Sequence, residues 1–185
     1  MKTPPLGTCL MTYRAYDQGD DTVAVIVTSL SWSPDSTRIV SCGQEQLVNI
    51  WDARTGETLF VVGEGRDIQS VSWSPDGNFI AMGGWNGTWI LDVRNGEICS
   101  FLRPPWPSFA LPVWSPDGMQ LAVAWNRANA IEAVVVQIYQ RQNWQERLKF
   151  STGQHSVSSL QWSPDGTRIA SAGDGDRSIQ VWWAF

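Results

Sequence analysis

Histidine is nearly absent: His155 is the only one in 185 residues. A hydrolytic Ser-His-Asp arrangement would have to be assembled around it from distant parts of the chain, so a packing or turn-capping role is favoured and no catalytic residue is assigned. Cysteine is also scarce. Cys9, Cys42 and Cys99 lie far apart without the paired spacing of metal ligands, and they read as reduced thiols. Basic residues are outnumbered: 13 Lys and Arg against 18 Asp and Glu give a net charge of −5. Such a chain repels phosphate backbones and anionic lipid, which argues against nucleic-acid and membrane partners. No apolar run is long enough to span a bilayer. Leu6-Gly7-Thr8-Cys9 has a faint likeness to a lipoprotein cleavage site, but residues 1–5 before it are not an apolar segment. The expected compartment is therefore the cytoplasm. The acidic stretch "DQGDD" (17–21) lacks the ligand spacing of an EF-hand loop and reads as a solvated loop, and the turn "GGWNG" does not open a helix as a phosphate-binding loop would. No metal and no cofactor are expected.

Apolar residues make up 43% and charged residues 17%, a globular balance. Tryptophan is abundant, with 12 residues, which points to a repeated structural demand. "SWSPDSTRIVS", "SWSPDGNFIAM", "VWSPDGMQLAV" and "QWSPDGTRIAS" place Trp32, Trp73, Trp114 and Trp162 at spacings of 41, 41 and 48 residues. In each copy an apolar strand ends at Trp-Ser. Ser-Pro-Asp-Gly (Ser-Pro-Asp-Ser in the first) then makes a turn, with Pro presetting a type I dihedral and Gly closing it. A second strand follows ("RIVSC", "FIAMG", "QLAVA", "RIASA"), then a third ("LVNIWD", "TWILDV", "AVVVQIY", "SIQVWW"). Turns such as "DARTGE" and "DVRNGE" lead to a fourth ("TLFVV", "ICSFL", "RLKF"). Four short strands in roughly 40 residues predict one blade of an all-β propeller.

These motifs resemble the WD-repeat β-propeller family, in particular bacterial-type repeats, with Trp51-Asp52 closing a third strand. The resemblance covers nearly the whole chain. It implies four four-stranded antiparallel blades in one domain, with repeats at approximately 7–55, 56–96, 97–144 and 145–185. Trp32, Trp51, Asp52, Trp73, Trp114, Trp162, Asp176 and Trp182 fall at structural repeat positions. Only the first repeat keeps Trp-Asp; the second has Leu91-Asp92 and the fourth Trp182-Trp183. His155 and Arg66 fall near the place of the family's Gly-His signal. Asp176 fits its turn aspartate, and Glu45 and Asn86 occupy similar places.

Residues 7–14, "GTCLMTYR", align with "GETLFVVG" at 56–63, an outer strand. The repeats thus start with a spare outer strand and end with a third strand, "SIQVWW". The resemblance implies that the N-terminal strand closes a last blade. Three rings are compatible with this phase: half of an eight-blade ring made by a homodimer, part of a longer propeller, or a four-blade ring closed alone. The matching phase favours the first.

In a meander, the Ser-Pro-Asp-Gly turns lie on one face and the irregular turns on the other. The irregular ones include residues 103–108 ("RPPWPS"), "GGWNG" and residues 125–133 ("WNRANAIEA"). Irregular loops on a rigid scaffold are where binding tends to sit. Trp85, Arg103, Trp106, Trp125 and Arg127 fall at or beside these turns, and rigid aromatics with Arg are typical interface anchors. The expected function is a non-enzymatic interaction scaffold for a protein or peptide partner. The alternatives are a regulatory or sensor propeller accessory to an enzyme such as a protein kinase, and, further off, a propeller-borne hydrolase.

Overall fold

The computed structural model describes residues 5–13, 26–44, 47–62, 66–127, 132–173 and 177–184. All regular structure within them is β. The first sheet holds β1 (Val27–Trp32), β2 (Arg38–Gly43), β3 (Val48–Asp52) and β4 (Thr58–Val62). The second holds β5 (Ile68–Trp73), β6 (Phe79–Gly84), β7 (Gly87–Asp92) and β8 (Glu97–Leu102). The third holds β9 (Ser108–Trp114), β10 (Gln120–Arg127), β11 (Val135–Gln140) and β12 (Glu146–Ser151). The fourth has three strands, β13 (Ser159–Trp162), β14 (Arg168–Ala172) and β15 (Ile179–Trp183). Every pairing is antiparallel between consecutive strands, so each sheet is a simple meander and one blade. No helix among the described residues is long and apolar enough to cross a membrane.

The Ser-Pro-Asp turns share one hydrogen-bond pattern. The serine hydroxyl donates to the aspartate two residues on, at 2.5 to 2.7 Å, in all four copies. The same hydroxyl accepts the N–H of the first residue of the next strand at 2.9 Å. The aspartate in turn accepts a backbone N–H two residues on, at 2.9 to 3.1 Å. Gly77, Gly118 and Gly166 close these turns with φ of 77°, 68° and 68°, the left-handed region open to glycine at little cost. Ser36 holds the same place at φ 60°.

The inner strands of the second and third sheets are largely apolar on both faces, because each of these sheets is sandwiched between two neighbours. The core is therefore three layers between blades. Val40, Cys42, Val48 and Ile50 of the first blade meet Ile80 and Met82 of the second. Ala81 and Ile90 of the second meet Leu121 and Trp125 of the third. Val136 and Ile138 of the third meet Leu160 and Ile169 of the fourth. Trp73, Trp114 and Trp162 sit at these joints. Trp114 Nε1 donates to Ser72 O at 3.1 Å and Trp162 Nε1 to Val113 O at 3.2 Å, each acceptor lying in the preceding blade. Trp73 instead bonds Gly77 O in its own turn at 3.2 Å, under the Arg38 guanidinium of the first blade. Ser29 and Ser31 hydroxyls accept the N–H groups of Val71 and Trp73, tying β1 to β5.

The array is open at both ends. Trp32 is 53% exposed, against 5% for Trp73 and Trp114 and 9% for Trp162. Among the described residues the fourth blade does not cover this face, as it would in a four-blade ring closed within one chain. Residues 7–13 form no strand in any sheet of this chain, and the fourth sheet has three strands where four were expected. The segment lies instead against the first blade. Tyr13 stacks on Trp51 with centroids 4.4 Å apart, and its hydroxyl is 2.6 Å from Thr58 Oγ1. Arg14 lies outside the described residues.

Candidate interaction face

The turns β6–β7, β8–β9 and β10–β11 emerge on one face, opposite the Ser-Pro-Asp turns, as the meander requires. Trp85 and Asn86 form a two-residue turn between β6 and β7, and Asn86 adopts φ 61°, as the tight hairpin demands. Asn86 N–H donates to Ser108 O at 2.8 Å, which anchors the turn to the third blade. The Trp85 and Phe109 rings pack with centroids 4.6 Å apart. Gly87 has no side chain because the Phe101 ring occupies that space. The glycines of "GGWNG" thus serve packing.

Residues 103–107 connect β8 to β9, and Ser108 Oγ secures the loop by donating to Trp106 O at 3.1 Å. The Arg127 guanidinium lies 3.6 Å from the Trp106 ring centroid and the Lys149 ammonium 5.6 Å from it. Both cations come from strands or strand ends of the third blade, so the indole is held by cation–π contacts on a rigid sheet. Arg127 also forms an ion pair with Glu132. Trp106 Nε1 and Arg127 Nε are buried with no hydrogen-bond partner among the described residues.

Arg103 takes part elsewhere. It lies 5.4 Å over Phe101, whose ring is 5.0 Å from Trp89, and Arg66 sits 5.9 Å over Trp89. Two packed aromatics are thus flanked by a cation at each end along this edge of the second blade. Arg66, near the place expected for a histidine, has this stacking role. Trp125 belongs to the interior. The sequence reading put residues 125–133 in a loop, but β10 continues to Arg127, and Trp125 is fully buried between the second and third blades. Beside it, burial raises the Tyr139 phenol to about 12. Asn126, a contact residue that no sequence motif marks, bonds both N–H and C=O of Val157 at 2.7 and 3.0 Å and clamps the third blade to the fourth. The expected cluster thus resolves into separate contacts: Trp106 with Arg127, Trp85 with Phe109, Arg103 with Phe101, and Trp125 in the core.

His155 is exposed, and the buried neighbour Gln154 does the bonding expected near it. Gln154 Nε2 donates to Ser178 O at 3.1 Å, and its Oε1 accepts from Ser171 Oγ at 2.9 Å. Trp182 Nε1 donates to the same Ser171 hydroxyl at 3.4 Å. Asp176 and Glu45 lie outside the described residues, as do residues 17–21. Asp52 accepts the N–H groups of Arg54 and Thr55 at 2.8 and 2.7 Å, so it caps the turn into β4. Among the described residues, no group of His, Cys, Asp and Glu is arranged to hold a metal ion. Cys42 is buried, which pushes its thiol up to about 11 against a counteracting hydrogen bond from Thr28.

A meander of four blades stacked through repeat tryptophans is a β-propeller array, and the chain belongs to the WD40 family: its repeat (WD domain, G-beta repeat) matches residues 7–52, 56–91 and 145–182. Rat echinoderm microtubule-associated protein-like 2 is 27% identical over 155 residues, covering 83% of this chain and 23% of that protein. Actin-related protein 2/3 complex subunit 1 of Schizosaccharomyces pombe is 29% identical over 178 residues, covering 84% and 46%. Protein HIR1 of Cryptococcus neoformans is 26% identical, covering 84% and 20%. The chain thus spans less than half of each of these relatives. Among solved structures, Kuenenia stuttgartiensis hydrazine synthase superposes with a TM-score of 0.75 at 18% identity, over 91% of this chain and 49% of that one, a likeness of fold alone.

Proposed function

We propose that this protein is a non-enzymatic interaction scaffold that presents the face carrying Trp85, Trp106 and Arg127 to a protein or peptide partner. The observation that carries the reading is the Trp106 indole held by Arg127 at 3.6 Å and Lys149 at 5.6 Å on rigid strands. A preformed aromatic with cations around it loses little conformational freedom on binding and suits an acidic or aromatic segment. The net charge of −5 supports a protein partner over a nucleic acid. Membership of the WD40 family supports the same role, and fold by itself does not choose the partner. We take the compartment to be the cytoplasm and the working unit to be a homodimer. The test is affinity capture from the native host with the parent protein and with folded Trp106→Ala and Arg127→Ala variants. A partner retained by the parent and lost by both variants is expected; equal retention by all three would defeat this face as the docking site.

A further inference from the structure

Each internal joint sets the trailing face of one blade on the leading face of the next. At the two ends these faces are bare. On the leading face of the first blade, Leu30 is 60% and Trp32 53% exposed. On the trailing face of the fourth, Ile179 is 75% and Val181 61% exposed, whereas Val48 and Ile50, at the same register in the first blade, are 0% and 2% exposed. Both bare faces are built like those already paired inside the chain.

Residues 7–13 show what belongs there. Tyr13 packs on Trp51 at 4.4 Å as Phe150, from the outer strand of the third blade, packs on Trp182 at 4.9 Å. Met11 lies against Gly56 as Phe60 lies against Gly96. Gly7 has φ 84°, and the matching Gly56 and Gly96 have 75° and 73°. The segment therefore holds the position of an outermost strand of a blade preceding β1–β4, with no inner strand of such a blade beside it among the described residues. Meanwhile β13–β15 is a sheet with three strands. The chain carries both complementary halves, in matching phase, at opposite ends of the array.

We propose that two copies of this chain dock through both ends, so that β13–β15 of each copy stacks on the Leu30 and Trp32 face of the other. Residues 9–13 of the receiving copy complete the incoming sheet as its fourth strand. The register follows from β3 and β4, where Val48 faces Val62 and Ile50 faces Phe60. Ile179 is thus opposite Tyr13, and Val181 opposite Met11, of the other copy. Arg38 covers Trp73 across the first joint at 5.0 Å, and Thr167-Arg168-Ile169 repeats Thr37-Arg38-Ile39, so Arg168 covers Trp32 across the new one. Used twice about a two-fold axis, the contact closes a ring of eight blades and hides both apolar faces and the β15 edge.

This rests on the homodimeric reading above and gives it a register, and the test separates the two. Light scattering is expected to give about 41 kDa, twice the 20.6 kDa chain mass. Leu30→Asp, at a site exposed in the single chain, is expected to keep the β circular dichroism spectrum and to weaken self-association about a hundredfold. In a Cys9→Ser, Cys99→Ser background, Met11→Cys with Val181→Cys is expected to form an intermolecular disulfide, since paired Cα atoms lie about 4.5–5.5 Å apart. Thr8→Cys with Val181→Cys is the off-register control. A folded monomer at micromolar concentration, as if further blades of a longer polypeptide covered these faces, overturns both readings, and so does an open-ended series of masses. A dimer whose Met11–Val181 pair cross-links no better than the control overturns this interface and leaves the homodimer standing.

Discussion

The Arg141 guanidinium meets the Asp76 carboxylate at 2.7 Å, and the pair crosses from the third blade to the second. The same guanidinium lies 4.6 Å over the Phe79 ring and donates to Gly118 O at 3.3 Å. Both charged side chains are partly shielded, so the pair outweighs an ordinary surface bridge. Arg141→Ala is expected to lower unfolding stability by about 1–2 kcal/mol, and Arg141→Lys to recover only part of it, because an ammonium cannot reproduce the fork. Urea denaturation of the three proteins checks this; equal midpoints would refute it.

Acid should loosen the turns before the apolar layers. The Ser33 and Ser163 hydroxyls, helped by Thr37 and Thr167, hold Asp35 and Asp165 at about 2. Burial opposes the charge on Asp76 and Asp117 and is the largest single influence, but the donors together outweigh it (Ser74, Asn78 and Arg141 at Asp76; Ser115 and the Met119 N–H at Asp117), and both carboxyls stay below their ordinary value. A depressed folded-state pKa contributes stability that is present above the unfolded value of about 4 and is lost as pH falls through the folded one. The urea midpoint is expected to be level near neutrality and to fall from about pH 4 toward 2. A profile flat across that window would contradict the assignment.

Ser36 is the natural site for a stabilising change. It occupies at φ 60° a turn position that three other copies give to glycine. Left-handed backbone costs a side-chain-bearing residue about 1–2 kcal/mol, partly offset by the greater freedom of unfolded glycine. Ser36→Gly is expected to raise stability by about 0.5–1 kcal/mol, measured as a higher thermal midpoint.

Gln154 should be intolerant of an apolar substitute. Its amide satisfies the Ser178 carbonyl and accepts the Ser171 proton while fully buried. Gln154→Leu removes both of these buried hydrogen bonds and is expected to cost about 2–3 kcal/mol. A Gln154→His variant that matched the parent in stability would show that an imidazole can take over the network.

Trp114→Ala is expected to cost about 3–5 kcal/mol, since it removes a buried indole from a blade joint together with its bond to Ser72 O. Denaturation with tyrosine and residual tryptophan fluorescence as readouts would show the loss. A change within error would mean that the joint does not depend on it.

The blades were legible because their turns are local chemistry. Ser-Pro-Asp-Gly needs only its own few residues to bend the chain, so its recurrence marked strands β1 to β15 closely. The irregular face was less legible, because side-chain destinations there depend on neighbouring blades. Trp125 and Arg127 are two residues apart on one strand, yet one fills a core layer and the other reaches the Trp106 ring. Arg103 turned back on Phe101 for a like reason: the ring lies next to it on β8. The exchange of His155 for Gln154 is a shift of one position, enough in an extended segment to swap inside for outside.

In two of the three joints the donor is the tryptophan and the acceptor is the carbonyl just before the tryptophan of the blade ahead. Plug and socket therefore sit on adjacent residues of one repeat. Duplicating a stretch of the gene one repeat long copies both together, so an added unit arrives already able to receive a successor. What is inherited is a coupling, and the length of the array can drift during evolution without any joint being reinvented.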